Sequence, residues 1–191
     1  FWQSRAENDQ FLWRDLADLN EKVVAINAPR KYKKVLDLGA GDCKLATRLA
    51  KKDIAITAID YVKPVKELPN NITFIVDDIV TYTSNELYDL ILLFGVSNFL
   101  NQSDAETLYK KASGMLAPKG TFLVKHQCGI QSDIKIKSKV DGKEYNAIYR
   151  TAEKEQSMLE TAGFKVTISD PYPLTENKWP NTHFKCFKCV Q

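Results

Sequence analysis

The segment at residues 35–43 constrains the fold of this chain more than any other stretch. It reads VLDLGAGDC, an apolar run that ends in an acidic residue and two glycines, and a helical pattern follows directly. This order predicts a buried strand, a tight turn and a helix start, which together bring a nucleotide-like ligand against the backbone. Lys44 stands where the dinucleotide fingerprint has its third glycine, and Asp42 places a negative charge where a pyrophosphate would lie. The turn therefore favours an adenosine ligand without phosphates over NAD.

Alternating strands and helices follow this first strand. The strands are apolar on both faces, which indicates an α/β fold with a mostly parallel sheet and helices on both sides. Further strands are predicted at 54–59, 72–76, 90–94, 121–125, 164–169 and 183–190, and helices within 4–28, 44–50, 103–116 and 151–161. The length suits a single domain, 1–191, that contains a seven-stranded sheet and an N-terminal helix at 1–28.

The stretch at 127–150 breaks this rhythm. Between 134 and 140, isoleucine and valine alternate with lysine, and the Asp-Gly pair at 141–142 supplies a hairpin turn. We therefore predict a hairpin arm, 127–150, inserted after the fifth strand. Its lysines either meet an anionic ligand or form the solvated face of an edge strand.

Charge, hydropathy and cysteines exclude several classes of protein. A net charge of +3 is too small to indicate nucleic-acid or anionic-membrane binding by itself, and no apolar run approaches the roughly 20 residues of a membrane span. The first residues lack the layout of a signal peptide, and a chain that begins with Phe1 is expected to be a trimmed or partial one. Cys186 and Cys189 fall on opposite faces of a predicted strand, so they cannot share one metal ion. The four cysteines are expected to be free thiols in the cytoplasm, with no metal site.

The residues at the carboxyl ends of the strands are the candidates for ligand binding, because open parallel sheets bind ligands there. The first strand delivers the two glycines of the turn. The second ends in Asp60, about 19 residues after Gly41, where a carboxylate can accept the hydroxyls of a ribose. The third delivers Asp78, and the fourth delivers Phe94 and Gly95.

These motifs resemble those of the class I S-adenosylmethionine-dependent methyltransferases, and the resemblance covers nearly the whole chain. The first motif of that family, acidic-x-Gly-x-Gly, matches DLGAG at 37–41, and the fourth, aromatic-Asp-Leu-Ile, matches YDLI at 88–91. The resemblance implies a Rossmann-like fold whose last strand is antiparallel, and S-adenosyl-L-methionine as the cofactor. It places Asp60 at the ribose and Asp78 at the adenine amino group. The cofactor-binding residues that it implies are Asp37, Gly39, Ala40, Gly41, Asp60, Tyr61, Asp78, Ile79, Phe94 and Gly95.

The chain contains two histidines, His126 and His183. In the fold that the resemblance implies, the end of the fifth strand and the start of the last strand are neighbours at the edge where the methyl group of the cofactor lies. Both histidines are therefore candidate catalytic residues that contact the methyl acceptor, one of them as a base, because histidine accepts a proton near neutral pH. A structural role for either is the alternative.

Three further residues are expected near the acceptor. Arg150 either clamps an acceptor phosphate or carboxylate or is a charge at a helix start, and Tyr149 precedes it. Trp179 is either a platform for the substrate or a core residue. The segment at 2–5 either folds over the cofactor as a lid or simply packs against the domain.

The fourth motif limits the acceptor. The sequence FGVS at 94–97 lacks the Asp/Asn-Pro-Pro-aromatic pattern with which amino-methylating nucleic-acid enzymes grip their base. Lys125 resembles the strand-five lysine of RNA ribose 2′-O-methyltransferases, but the acidic residue expected at the end of the fourth strand is missing. We therefore expect a small-molecule acceptor, such as a phosphorylated metabolite or a nucleotide-linked sugar for surface glycans. An RNA methyltransferase and a non-catalytic cofactor-binding subunit are the alternatives.

Overall fold

The computed structural model of the protein describes residues 17–51, 53–140, 142–171 and 180–191. The predicted lid at 2–5 and Trp179 lie outside these residues. The helices are α1 (Ala17–Asn27), α2 (Lys44–Leu49), α3 (Gln102–Met115) and α4 (Ala152–Thr161), with a short 3₁₀ helix at Ser97–Phe99. The strands are β1 (Lys34–Leu38), β2 (Ala55–Asp60), β3 (Ile72–Val76), β4 (Tyr88–Phe94), β5 (Leu116–Gly129), β6 (Ile134–Val140), β7 (Lys143–Tyr149), β8 (Lys165–Ser169) and β9 (Thr182–Val190).

Seven of these strands form one sheet in the order β3-β2-β1-β4-β5-β9-β8. Neighbours from β3 to β5 pair in parallel, whereas β9 is antiparallel to both β5 and β8. The strand order reverses at β1 and β4, and the crevice at such a switch point is where open sheets bind ligands. The predicted seven-stranded, mostly parallel sheet with an antiparallel last strand is confirmed.

Helices cover both faces of this sheet. On the face that we call the α2 face, Val24 of α1 and Leu45 of α2 pack with strand residues such as Leu90. On the opposite face, the α4 face, Leu159 of α4 packs with strand residues such as Phe122. Paired residues on neighbouring strands share a face, and successive residues of one strand alternate between faces. This alternation, which we call parity, determines which side chains at the ends of neighbouring strands can contact one another.

The inserted arm is a hairpin of β6 and β7, which form a separate two-stranded sheet. Its packed face carries Tyr145, Ala147 and Tyr149 and lies against Phe99 of the 3₁₀ helix that follows β4. The rings of Phe99 and Tyr145 meet edge-on with centroids 5.5 Å apart, and Tyr149 is 1% exposed with its hydroxyl 2.7 Å from that of Tyr145. The three lysines of β6 are exposed on the other face. The base of the hairpin therefore lies beside the carboxyl end of β4.

The strand β5 is longer than the one predicted at 121–125. Its last eight residues, 122–129, all pair with β9, so the neighbouring strand extends it as far as Gly129. Residues 118–120 form an irregularity inside the strand, because Leu116 pairs with Tyr88 and Thr121 with Leu90. The first strand of the hairpin therefore begins at residue 134. The predicted arm, in contrast, begins at residue 127.

Candidate active site

The turn between β1 and α2 requires its glycines. Gly39 and Gly41 have φ angles of 75° and 57°, in the left-handed region that other residues rarely adopt. A Cβ atom on Gly39 would lie 2.4 Å from Cγ2 of Val96, in the turn that follows β4. The amides of Gly39 and Ala40 donate to the carbonyl of Ile59, at 2.8 and 3.0 Å. The turn is thus fixed against the end of β2, with bare backbone at the carboxyl edge of the sheet.

Asp60, the last residue of β2, fastens this turn from the side. Its Oδ2 accepts a hydrogen bond from the Gly41 amide at 2.8 Å, and its Oδ1 accepts one from the Val62 amide at 3.4 Å. The side chain is half-buried. Because a carboxylate oxygen has two lone pairs, each oxygen can accept a further donor from a ligand.

Asp37 lies two residues before the turn, on the α2 face, and is 4% exposed. Loss of hydration raises the pKa of its carboxyl to about 7, and the charge of the neighbouring Asp60 adds to this rise. A positive group bound between the two carboxyls would favour the ionised form. The pair therefore predisposes this edge to a ligand that carries a cation.

The stability of the ligand-free protein should depend on pH through Asp37. The folded state keeps this proton up to about pH 7, whereas an unfolded aspartate loses it near pH ~4. The free energy of unfolding should therefore fall as the pH rises from about 4 to 7, by at most about 4 kcal/mol. The Asp37→Asn variant lacks this loss, so in urea denaturation it should match the wild type below pH ~4 and exceed it at pH ~8.

The comparison of these two proteins isolates Asp37 from His126, whose lowered pKa has the opposite effect on stability below pH ~6.5. That contribution is present in both proteins and cancels. A stability difference between wild type and variant that stays constant from pH ~4 to ~8 would contradict the raised pKa of Asp37.

Two predicted residues meet at the ends of β2 and β3. Asp78 follows β3, and its Oδ1 accepts a hydrogen bond from the Val80 amide at 2.8 Å. Tyr61 follows β2, is 64% exposed and makes a hydrogen bond with Asp78, which is the main cause that raises the pKa of its phenol to about 12. Ile79, in contrast, is 6% exposed and belongs to the core of the α4 face. The structure therefore brings Tyr61 and Asp78 to the carboxyl edge and turns the side chain of Ile79 away from it.

The end of β4 meets β5 at a buried lysine. Phe94 ends the strand, and Gly95 turns the chain away with a φ angle of 72° while its amide donates to the carbonyl of Lys125 at 2.7 Å. Lys125 is 2% exposed, and its Nζ lies 5.4 Å from the ring centroid of Phe94 and 5.1 Å from that of Phe184. Lys125 is not among the site residues predicted above. Its complete burial, which the sequence does not reveal, is what distinguishes it.

His126 and His183 lie on neighbouring strands but not opposite each other. His126 pairs with Lys185 of β9, and His183 pairs with Cys128 of β5. Parity places both histidine side chains on the α4 face, opposite the face that carries Asp37. The predicted meeting of the two strands is therefore present, whereas the side chains point to the other side of the sheet from the glycine turn.

The two histidines differ in environment. His126 is 1% exposed, and among the described residues neither of its ring nitrogens has a hydrogen-bond partner, although Nε2 lies 3.8 Å from Oε1 of Glu155. Burial lowers the pKa of His126 to about 4 in spite of this carboxylate, so the imidazole is neutral at pH 7. His183 is 6% exposed, with Nε2 3.5 Å from Oδ1 of Asp170. A catalytic role for either residue stays a prediction.

Arg150 is 1% exposed and its guanidinium is surrounded by acceptors of the protein itself. Its Nε donates to Oε2 of Glu155 at 2.7 Å, its Nη1 to the carbonyl of Leu100 at 3.0 Å, and its Nη2 to the carbonyl and hydroxyl of Ser97 at 2.7 and 2.8 Å. The Tyr109 hydroxyl donates to the other oxygen of Glu155. Arg150 thus joins the start of α4 to the turn after β4, which is a different set of contacts from the predicted clamp on an acceptor.

Three solved structures share this fold. Glycopeptide N-methyltransferase MtfA, complexed with S-adenosyl-L-homocysteine, is 14% identical with a TM-score of 0.72, and the match covers 95% of this chain and 92% of that one. A 1,6-didemethyltoxoflavin-N1-methyltransferase from Burkholderia thailandensis is 16% identical with a TM-score of 0.75, covering 97% and 83%. DhpI, in a complex with SAM and HEP, is 13% identical with a TM-score of 0.75, covering 100% and 94%. No curated protein matches the chain.

The solved structures show the fold, and a match to a family model identifies the kind of domain. Residues 35–120 match the family described as methyltransferase domain, and this range contains the glycine turn and the ends of β2, β3 and β4. Residues 35–120 are therefore identified as a methyltransferase domain. The resemblance inferred from the sequence motifs is thereby confirmed, together with the enzyme class.

Two further observations concern the described part of the methyltransferase. No helix in it is long and apolar enough to cross a membrane. No group of three or more His, Cys, Asp or Glu side chains in it is arranged to hold a metal ion.

Proposed function

We propose that this methyltransferase transfers a methyl group from S-adenosylmethionine to a small-molecule acceptor in the cytoplasm. The observation that carries the proposal is the glycine turn closed by Asp60, whose carboxylate accepts the Gly41 amide at 2.8 Å at the carboxyl edge of the sheet. MtfA and DhpI, which share the fold, are complexed with S-adenosyl-L-homocysteine and SAM.

Three acidic residues fit the polar groups of this cofactor. Asp60 has lone pairs left for the ribose hydroxyls, and Asp78, held by the Val80 amide and by Tyr61, is available to the adenine amino group. Asp37, whose carboxyl is buried and has its pKa raised to about 7, suits a bound ammonium group. When bound, S-adenosylmethionine supplies a methyl group that is already activated on a sulfonium. The protein then needs chiefly to position the acceptor and exclude water.

The acceptor side of the site favours a small molecule. The hairpin packs through Tyr145 on Phe99 beside the end of β4, so a short arm bounds this side. The exposed lysines of β6 give the arm a positive face that suits an anionic acceptor, such as a phosphorylated metabolite or a nucleotide-linked sugar. The acceptors named for similar structures are a glycopeptide and a didemethyltoxoflavin.

A cytoplasmic location is supported by the cysteines, all four of which are buried free thiols. The net charge of +3 gives little attraction for nucleic acid.

Within this proposal the residues predicted near the acceptor have different roles. His183 is the better candidate for a base of the two histidines, because a pKa of about 4 makes His126 a weak base near neutral pH. Tyr149 and Arg150 act from the base of the hairpin, and Arg150 does so by holding the carbonyls of Ser97 and Leu100. Trp179 is the candidate platform for the acceptor.

Two measurements test the proposed function. Calorimetry should show binding of both S-adenosylmethionine and S-adenosylhomocysteine, and a panel of phosphorylated metabolites, nucleotide sugars and RNA should then reveal which acceptor yields S-adenosylhomocysteine. Absence of binding would overturn the proposal, turnover with RNA alone would replace the acceptor class, and binding without turnover would favour a non-catalytic subunit. With an acceptor at saturation, unchanged turnover in both His126→Asn and His183→Asn would remove the histidines from catalysis.

A further inference from the structure

Lys125 is held inside the protein at the edge where the ligand is expected. It is 2% exposed, with its Nζ between the rings of Phe94 and Phe184 at 5.4 and 5.1 Å from their centroids. Its own carbonyl accepts the Gly95 amide, so the residue is part of the junction between β5 and the turn that follows β4. Lysine is rarely buried so completely.

The strand register places Lys125 on the same face as the predicted cofactor contacts. Lys125 pairs with Phe94 of β4, and Leu92, two residues earlier on β4, pairs with Asp37 of β1. Because paired residues share a face, the side chains of Lys125, Phe94 and Asp37 all lie on the α2 face. They occupy three adjacent strands near the carboxyl edge. His126, the next residue of β5, lies on the opposite face.

The titratable and charged groups around Lys125 come from few elements of the described chain. On β9, Cys186 pairs with Lys125. Lys188, two residues after Cys186, lies on the same face of the sheet. On β1 the charged group of this face is Asp37, and β4 contributes the uncharged Phe94. Burial lowers the pKa of Lys125 to about 7, and Cys186 opposes this fall. Amine and ammonium are therefore both accessible near neutral pH.

We propose that Lys125 is a catalytic base of the methyltransferase, whose neutral amine takes the proton of the methyl acceptor. The inference rests on the proposed function and assigns the proton to Lys125 in place of His183, because Lys125 lies on the same face of the sheet as Asp37 and His183 on the opposite face. As the proton moves from the acceptor oxygen or nitrogen to Nζ, the electron pair of the acceptor forms the new bond to the methyl carbon. The carbon–sulfur bond breaks with its electron pair left on sulfur, and Lys125 later returns the proton to solvent.

The burial of Lys125 suits this step. A second positive charge within about 6 Å of a buried ammonium lowers its pKa by about 1–3 units. A bound sulfonium therefore keeps Lys125 in the amine form, which is the form that can accept a proton. After transfer the sulfur is neutral and Lys125 carries the charge, so the total charge of the enclosed site is unchanged by the reaction.

The test compares two ligands that differ by the sulfonium charge, S-adenosylmethionine and S-adenosylhomocysteine. Their dissociation constants would be measured by calorimetry from pH ~6 to ~8.5 for the wild type, Lys125→Met and, as a matched control, Lys165→Met, which alters an exposed lysine of β8. In the wild type and the control, affinity for S-adenosylmethionine relative to S-adenosylhomocysteine should rise about tenfold or more over this range. In Lys125→Met the rise due to the lysine should be lost, while the ligands' own titrations are common to all three proteins.

A second measurement uses the same three proteins. In buffers of different ionisation enthalpy at pH ~7, S-adenosylmethionine should release up to about half a proton more per site than S-adenosylhomocysteine from the wild type and from Lys165→Met. This excess should fall in Lys125→Met, whereas any proton that the sulfonium releases from Asp37 is common to all three proteins. Once an acceptor has been identified, Lys125→Met should lower turnover by about 100-fold or more, whereas Lys165→Met should leave turnover unchanged. Equal proton release and equal pH dependence for the two ligands would overturn the role of Lys125 and leave cofactor binding intact. Failure of both ligands to bind would instead overturn the proposed function together with this inference.

Discussion

Replacing Arg150 with Met is expected to lower the free energy of unfolding by about 3–5 kcal/mol, because the change leaves a buried carboxylate without its partner. Arg150 and Glu155 are 1% and 0% exposed, and their Nε and Oε2 atoms are 2.7 Å apart. Burial raises the pKa of Glu155, but the positive charges of protonated His126 and of Arg150 together hold it below its usual value. Because His126 is neutral at pH 7, the guanidinium is what keeps Glu155 ionised there. The variant also leaves the carbonyls of Ser97 and Leu100 without the donors that Arg150 supplies. Urea denaturation at pH ~7 measures the loss.

Lys154, the residue before Glu155 on α4, provides a matched control. Its Nζ is 2.7 Å from Oδ2 of Asp133, but both side chains are partly exposed, at 39% and 30%. Lys154→Met should therefore cost less than about 1 kcal/mol. The double variant Arg150→Met/Glu155→Gln should recover part of the loss, since it removes the unpaired charge. An Arg150→Met variant as stable as Lys154→Met would show that the buried pair does not hold the turn after β4 in place.

Much of the fold can be predicted because its signals are local. The apolar runs that form the parallel strands end at glycine or aspartate, and the Asp-Gly pair at 141–142 marks the hairpin. The starts of α3 and α4 are predicted to within one residue because each has a nearby cap. The side chain of Asn101 accepts the Asp104 amide at 2.9 Å, and that of Thr151 accepts the Lys154 amide at 3.3 Å.

The interior of the site cannot be predicted in this way, because it depends on partners that are distant in the sequence. Both faces of β5 are buried from Gly120 to Gly129, so no alternation of polar and apolar residues shows which face meets the ligand. Pairing with β4 and β9 decides that Lys125 lies on the α2 face and His126 on the other. The contact of Arg150 with Ser97 likewise joins residues 53 positions apart.

The second large effect is expected at the glycine turn, where Asp60→Asn should weaken the binding of S-adenosylmethionine about 100-fold. An amide cannot accept two charge-assisted hydrogen bonds from a ribose, and each such bond contributes about 1.5–3 kcal/mol. The carbonyl oxygen of the Asn side chain can still accept the Gly41 amide, which the Asp60 carboxylate accepts at 2.8 Å. The free energy of unfolding should therefore change by less than about 1 kcal/mol. Removal of the Asp60 charge should also lower the pKa of Asp37, which that charge helps to raise.

A control with the same change of charge separates binding from general electrostatics. Asp53 is exposed and lies before β2, at the amino end of the strand that Asp60 terminates. Asp53→Asn should leave the dissociation constant of S-adenosylmethionine within about twofold of the wild type, because exposed charges this far from the ligand are screened by salt. If Asp60→Asn binds as tightly as Asp53→Asn in the same calorimetric experiment, Asp60 shapes the glycine turn without touching the cofactor. The ribose would then have to be bound by another residue of the carboxyl edge, with Asp78 as the next carboxylate along it.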